Sequence, residues 1–276
     1  MVQWKRWSIG ISSFVGAAVI AVGIGFGVGS LVPGPGRPAP STAIPAPATG
    51  SAGFQEDDNL TGQDNQDNIL QATAPGMVHI LSGTDSAGTG IVLTPSGKVL
   101  TTYQPGQEAE GLTAKYVLSG VTFRAKVIGS ADGLTLLQME GGDGRAFSTV
   151  TVGNSATVVN GSYGSQEASF HVAGEVLDTA VGANGTSPTL TIDVGTLVNL
   201  SATVAAGGHT EKGLMESVLQ SAPAAAIGGP LVDLNGHVVG ITVAEAGSGL
   251  NFDGYALPIN TVLAIARQID IRADHA

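Results

Sequence analysis

Few residues of this chain could transfer a proton or attack a carbonyl group. Its histidines are His79, His171, His209, His237 and His275. The first, second and fourth of these fall in predicted strands, where a structural role is expected. His209 lies in a polar loop with Glu211, and Ser221 follows in the same region. Base, carboxylate and hydroxyl are the groups that nucleophilic catalysis uses, but the sequence gives no geometry that would bring these three together.

Residue types that bind metals are scarce as well. The sequence has no cysteine, and no two histidines are spaced as His-x-His or His-x3-His. Asp57 and Asp58 lie in an acidic, amide-rich stretch, where solvation is expected instead of metal binding. The formal net charge of −11 argues against binding to nucleic acid, because phosphate contacts need a basic surface. We therefore expect no metal, no other cofactor and no nucleic-acid partner.

Short apolar stretches separated by turn residues predict an all-β fold. Charged residues make up only 12% of the chain, and 41 residues are glycine, which suits strands joined by tight turns. Regular short strands of this kind indicate a barrel or a sandwich. The predicted strands, which precede a predicted helix over 259–269, cover 77–81, 89–93, 99–102, 114–118, 122–128 and 134–139, then 148–152, 156–159, 169–177, 189–194, 231–232, 237–243 and a last strand ending at Pro258.

A long uncharged stretch near the N-terminus predicts a membrane anchor. Residues 7–32 carry no charge, and about 20 apolar residues cross a hydrocarbon core. A secretory signal has a shorter apolar core of about 7–15 residues, so we expect a retained single-pass helix. Lys5 and Arg6 in the preceding segment 1–6 predict a cytoplasmic N-terminus and a domain outside, periplasmic or extracellular. Glycines in the stretch could also pack two such helices into a dimer: Gly23, Gly25, Gly27 and Gly29.

The composition changes after the predicted anchor. Residues 33–53 are rich in Pro, Ala, Ser and Gly, which is typical of an extended linker. Residues 56–68 are acidic and amide-rich, which is typical of a disordered or loosely attached segment. We therefore predict a linker over 33–76 and a folded domain over 77–272, whose lobes cover 77–143 and 144–272.

Several motifs of the predicted domain follow one another in a specific order. They are a hairpin over 88–102, a strand pair over 125–129 and 134–138, the turn Gly228-Gly229-Pro230-Leu231, and the closing segment Tyr255-Ala256-Leu257-Pro258-Ile259-Asn260. This arrangement resembles the HtrA-type, trypsin-like serine proteases. The resemblance implies a domain of two six-stranded antiparallel barrels followed by a C-terminal helix.

The resemblance also implies where a Ser-His-Asp triad would lie. The family's serine position falls on Ile227, directly before Gly228. Its histidine position falls on Gln104. Its aspartate position falls on Gly133, or on Asp132 if the alignment slips by one residue. No nucleophile or base is present at these positions, which hold Gln104, Gly133 and Ile227, so they cannot supply the family's triad chemistry.

The loop before Gly228 also departs from the family pattern. An oxyanion hole needs backbone N–H groups aimed at the developing charge, and the family places a glycine where this chain has Ala225. Alanine disfavours the positive φ that glycine permits. Because residues 222–227 are wholly apolar, we expect a repacked loop in which Ile227 packs inward.

These differences lead to a functional hypothesis. They predict that the chain is a degenerate serine protease homologue that lacks a PDZ domain. They also predict that the chain is not an enzyme. Its predicted role is that of a membrane-anchored, extracytoplasmic pseudoprotease that binds or regulates a protein or peptide partner. The alternatives are a structural or accessory envelope domain and a serine-type endopeptidase-like hydrolase with an unrecognised site.

Overall fold

The structure analysed is a computed structural model. It describes residues 40–48, 63–104, 111–158, 168–175, 189–206, 209–219, 227–233, 235–248 and 251–275. The predicted transmembrane helix over 7–32, with its four glycines, lies outside these ranges. Within them, no helix has the length and apolar character needed to span a bilayer.

Six antiparallel strands form the first barrel. They are β1 (Met77–Ser82), β2 (Asp85–Val92), β3 (Lys98–Thr101), β4 (Leu112–Tyr116), β5 (Thr122–Ala131) and β6 (Leu134–Glu140). Their order is β1-β2-β3-β6-β5-β4, and β1 pairs with β4 along Val78–Ser82 to close the ring. Inward-facing aliphatic side chains such as Val78, Ile80 and Leu137 fill its interior. The six-stranded barrel predicted for the first lobe is confirmed.

The second lobe also contains six strands. They are β7 (Ala168–Glu175), β8 (Thr189–Ala206), β9 (His209–Leu219), β10 (Pro230–Val232), β11 (Val238–Ser248) and β12 (Asn251–Pro258). Their order is β7-β8-β9-β12-β11-β10, and β10 returns to β7 only at Leu231 and Val232. This seam is much shorter than the seam between β1 and β4. The second lobe is therefore a six-stranded sheet that curls into a ring, but a seam of two residue pairs does not confirm the closed second barrel that the sequence predicts.

The connection between the lobes differs from the prediction. The strands predicted over 148–152 and 156–159 are wrong: the first stretch makes only an isolated bridge at Val152, and the second holds a 3-10 turn over Ser155–Thr157. The connection alternates between partners, since Val150 N–H donates to Val92 and the carbonyl of Thr151 accepts from Val238. It is therefore an extended link between lobes. Strand β9 is not predicted from the sequence, because it begins with four consecutive polar residues and a glycine, a pattern that is typical of a loop.

Helix α2 (Ile259–Asp274) closes the domain and packs between the lobes. Its buried face carries Val262, Leu263 and Ala266. It lies so close to β5 that a Cβ on Gly129 would be 2.9 Å from Ile269. The Lys98 ammonium and the Asp270 carboxylate, 2.5 Å apart, join the helix to β3. The predicted helix over 259–269 is confirmed and extends to Asp274.

Part of the range predicted as linker packs against the domain. Helix α1 (Gln63–Thr73) buries Ile69, which is 1% exposed. The Thr73 hydroxyl lies 2.9 Å from the Ile69 carbonyl and 3.2 Å from the Gly236 carbonyl. At the turn between β10 and β11, a Cβ on Gly236 would lie 2.7 Å from Ala72. The helix is therefore seated on the second lobe.

Residues 40–48, which we call the N-terminal strap, cross the domain at the junction of the lobes. Ile44 is 9% exposed and belongs to the apolar core shared by both lobes and α2. The strap carbonyls accept from Ser96 N–H, at Ser41, and from the Arg267 guanidinium, at Pro45. At its other end, Ala48 N–H donates to Gly153 over 3.2 Å. The strap thus ties the first barrel, the connection and α2 together.

We expect Ile44→Ala to lower the free energy of unfolding by about 2–4 kcal/mol, because it removes a buried side chain from the shared core. Thr42→Ala, an exposed change in the same strap, should stay within about 0.5 kcal/mol of wild type. Urea unfolding of the solubilised full chain, followed by circular dichroism, measures both. Equal stability of the two variants would show that the strap does not hold the core.

Candidate functional site

Gly228 and Gly229 form a tight turn directly before β10, which begins at Pro230. Gly228 has φ +87°, a backbone conformation that glycine adopts without strain. Its N–H donates to the Thr242 carbonyl over 2.8 Å, and Thr242 N–H donates to the Gly229 carbonyl over 2.9 Å. Both glycines and Pro230 are buried. The turn is therefore fixed to β11 by two backbone hydrogen bonds.

The same turn lies against the first barrel. A Cβ on Gly228 would be 2.8 Å from the Thr89 carbonyl oxygen on β2 and 2.9 Å from the Thr102 hydroxyl just after β3. Real Cβ atoms essentially never come this close to a backbone oxygen. Only a glycine at position 228, directly after Ile227, lets the second lobe approach the first this closely.

A buried hydroxyl fixes the backbone that leads to Gln104. The Thr101 side chain is 1% exposed; it donates to the Thr89 carbonyl over 2.7 Å and accepts from Tyr103 N–H over 3.1 Å. Beyond this anchored segment, Gln104 is exposed. Because Gly228 contacts Thr102, the positions assigned to the family's serine and histidine lie in one region.

Both candidates for the aspartate position lie in one hairpin turn. Asp132 and Gly133 connect β5 to β6 and have φ +48° and +75°, the signs expected of an Asp-Gly type I′ turn. At the start of β6, Thr135 pairs with Thr101 of β3. The turn is therefore at the same end of the first barrel as Gln104, and the structure brings together the neighbourhoods of all three predicted triad positions.

The expectation that Ile227 packs inward is wrong. Its side chain is 45% exposed, while the residues from Gly228 to Val232 that follow it are buried. The reason is local: the positive φ of Gly228 directs the backbone into the contact with Thr89 and Thr102, so the residue before it is left at the surface. The turn therefore presents an isolated aliphatic side chain.

Several other residues that the sequence analysis singled out are not part of this group of described site residues. Ala225 and Ser221 lie outside the described residues, and so does the side chain of His209. Glu211 is exposed on β9. The hypothetical constellation of His209, Glu211 and Ser221 and the oxyanion position at Ala225 stay predictions.

Two of the histidines have partners within the fold. His79 is 9% exposed, and its Nε2 lies 3.0 Å from the Ser86 hydroxyl. Burial lowers the pKa of His79, and the positive charge of Lys115 lowers that pKa further. His237 Nδ1 lies 3.2 Å from Asp233, whose other oxygen accepts from the backbone of the same turn. Both contacts fit the structural roles expected from the sequence.

Sequence reasoning missed a polar cluster in the second lobe. The Tyr255 hydroxyl donates to Glu216 over 3.1 Å, and the other oxygen of this carboxylate accepts from the Asn199 amide over 3.3 Å. Burial, with the hydrogen bond to Glu216 as a smaller cause, raises the pKa of Tyr255 to about 12. The phenol therefore stays protonated and acts as a donor. Pairing of β9 with β12 creates this cluster, and that pairing has no local sequence signal.

The described side chains form no cluster of three or more histidine and carboxylate groups that could hold a metal ion. The geometry instead combines an exposed aliphatic residue, an exposed amide at Gln104 and the rigid backbone of the Gly228 turn. Such a combination is suited to contacting another polypeptide.

Comparison with known proteins identifies the fold. No protein-family model and no curated protein sequence matches the chain. The HtrA-type protease AlgW, solved with a decapeptide, matches with a TM-score of 0.56 and 16% identity over 75% of this chain and 68% of AlgW. AlgW solved with a tripeptide matches with a TM-score of 0.57 and 18% identity over 74% of this chain and 62% of AlgW. The MamO protease domain from Magnetospirillum magneticum matches with a TM-score of 0.54 and 21% identity over 71% of this chain and 97% of the MamO domain. At these identities the likeness establishes that the chain has the fold of HtrA-type protease domains.

The prediction that the chain is a degenerate homologue and not an enzyme is overturned by these matches. The matched structures are named HtrA-type proteases, so the fold is a protease fold. The described residues show no assembled triad, but residue types at three aligned positions do not establish degeneracy.

We expect Gly228→Ala to destabilise the domain more than Gly213→Ala does. Both glycines have positive φ, which costs alanine about 1–2 kcal/mol, but a Cβ on Gly213 meets no atom within 4 Å. The collision with Thr89 and Thr102 should add about 1–3 kcal/mol at Gly228. Equal losses in the free energy of unfolding would contradict the close contact between the lobes.

Proposed function

We propose that this chain is a polypeptide-binding protein built on the HtrA-type protease fold. The observation that carries the proposal is the 45% exposure of Ile227 on a turn whose following residues are buried. An aliphatic side chain on a rigid support loses little conformational freedom when a partner covers it. Such a residue is a suitable anchor for an apolar side chain of the partner.

Polar groups for an extended chain lie nearby. Gln104 is exposed, and its amide can both donate to and accept from a peptide backbone. It follows Thr102, which contacts the turn of Ile227 through Gly228. One apolar anchor beside one bifunctional amide favours a peptide segment over a compact charged ligand.

The matched structures support the same class of ligand. AlgW was solved with a decapeptide and with a tripeptide, so a protein that contains this fold can bind short peptides. This chain spans 68% and 62% of those two AlgW chains. Peptide binding by the part that it shares with them is therefore our proposal for this chain.

Peptide-bond hydrolysis is a second candidate, and the observation that favours it is the naming of the matched structures as proteases. In that case the reacting groups are not the side chains at 104, 133 and 227, because the amide of Gln104, the hydrogen of Gly133 and the sec-butyl group of Ile227 supply neither nucleophile nor base. Residues of the loops next to these positions would have to provide them.

We further propose that the protein acts at a membrane. The uncharged stretch 7–32 would anchor it, with the N-terminus in the cytoplasm and the domain outside. Helix pairing through Gly23, Gly25, Gly27 and Gly29 would make the anchor a dimer contact.

Protease added to spheroplasts, whose cytoplasmic membrane is intact and whose outer envelope has been removed, should release the domain by cutting between anchor and domain, because this orientation exposes that segment. A cytoplasmic marker protein should stay intact under the same conditions. If the domain is cut only after the membrane is dissolved, the proposed orientation is reversed.

A photo-crosslinking amino acid placed at position 227 of the full chain in its native membrane should capture a discrete polypeptide. The same group at position 271 is the control, because Ile271 is 60% exposed on α2 and outside the proposed site. Ile227→Ser should leave the free energy of unfolding within about 0.5 kcal/mol of wild type and weaken partner capture.

Two results would contradict peptide binding at this turn. One is equal crosslinking at 227 and 271. The other is a loss of stability in Ile227→Ser that accounts for the loss of capture. Incubating the same preparations with casein separates binding from hydrolysis, since only hydrolysis yields fragments.

A further inference from the structure

A cavity of about 530 Å³ opens on the first lobe, between β4, β5 and the segment that follows β6. Its volume lies in the range of about 300–1,000 Å³ typical of small-molecule sites. None of its lining residues belongs to the Gly228 turn, to the Asp132–Gly133 turn or to the segment of Gln104. It is therefore separate from the candidate site described above.

Three aromatic rings form the wall of this cavity. Tyr116 and Phe123 meet edge to face with centroids 6.0 Å apart, and Phe123 and Phe147 do so at 5.0 Å. The Tyr116 hydroxyl donates to the Ser148 carbonyl over 2.9 Å, and burial raises the pKa of this phenol to about 12. The wall therefore presents apolar ring surface, which another aromatic group can join edge to face.

The opening of the cavity is apolar as well. Leu118 is 60% exposed and Val121 is 49% exposed, and both line the cavity. Covering these side chains removes apolar surface from water, which favours a ligand with an apolar body.

Two opposite charges stand on one turn of the lining, Asp143 and Arg145. Arg145 N–H donates to the Gly142 carbonyl over 2.7 Å, and a Cβ on Gly142 would be 2.9 Å from the Phe147 ring. The turn is thus seated on the aromatic wall. Within the described part of the chain, neither charge has an ion-pair partner within 4.0 Å. Their formal charges cancel, so the lining favours neither a simple anion nor a simple cation.

We propose that this cavity binds a small zwitterion with an aromatic body, of the aromatic α-amino acid class. The ring would pack against the wall of Tyr116, Phe123 and Phe147. The ligand carboxylate would pair with Arg145 and its ammonium with Asp143, which satisfies two charges that do not pair with each other. A neutral aromatic molecule would use the wall and leave both charges without partners.

Three probes separate these contributions. L-tryptophan carries both charges, N-acetyl-L-tryptophan lacks the ammonium, and L-tryptophanamide lacks the carboxylate. Saturation-transfer NMR titrations with the full chain in lipid nanodiscs should show saturable binding of L-tryptophan. Because exposed ion pairs contribute little, its affinity should exceed that of each derivative by about two- to fivefold.

Charge variants should remove this preference selectively. Arg145→Gln should reduce the affinity for L-tryptophan to that of the amide and leave the amide unchanged. Asp143→Asn should reduce it to that of the acetyl derivative and leave the acetyl derivative unchanged; asparagine tolerates the φ of +47° at this position. Leu118→Ser should weaken all three probes, whereas Ile271→Ser, equally exposed at 60%, should weaken none.

The proposal is overturned if no probe gives saturable binding, or if the three probes bind equally well. It is also overturned if Leu118→Ser binds all probes like Ile271→Ser, because the binding would then lie elsewhere. All these substitutions are at exposed residues, so circular dichroism of each variant should match wild type, and any loss of binding reports on the cavity.

Discussion

The contact between the Gly228 backbone and the first barrel determines the geometry of the candidate site. Gly228 belongs to the second lobe, yet it has room for no side chain between itself and Thr89 and Thr102. The hydrogen bonds that join Gly228 and Gly229 to Thr242 fix the turn from the other side. A turn held between two lobes in this way has one position, and that position leaves Ile227 exposed beside the segment of Gln104. The proposed binding of a polypeptide depends on this rigidity.

Elements outside the two sheets keep the lobes in the arrangement that this contact needs. Helix α2 packs into the core shared by both lobes and is joined to β3 by Lys98 and Asp270. The N-terminal strap adds Ile44 to the same core and hydrogen bonds to three separate elements. The second sheet is closed only by the short pairing at Leu231 and Val232, so its position relative to the first lobe depends more strongly on these interlobe contacts. A weakened strap should therefore affect the site as well as overall stability.

Local patterns in the sequence were sufficient for much of the fold. The hairpin over 88–102 and the helix after Pro258 both have local signals, and both are present. The missed parts depend on non-local contacts: β9 exists because it pairs with β8 and β12, and Ile44 is buried because two lobes meet over it. At the candidate site, the family resemblance implied the positions 104, 133 and 227 but not the exposure of Ile227. That exposure follows from the positive φ of Gly228 and its contact across the lobes, which no pattern in residues 222–227 indicates.

Hydrogen exchange at the Gly228 and Thr242 amides tests this account most directly, because both amides donate within the turn that joins the lobes. The account predicts that the two amides exchange as slowly as core amides of β11 such as that of Ile241, and that NMR shows a close contact between the Gly228 α-protons and the Thr102 side chain. Exchange at the rate of an open loop, without that contact, would contradict the claim that the turn is fixed between the lobes.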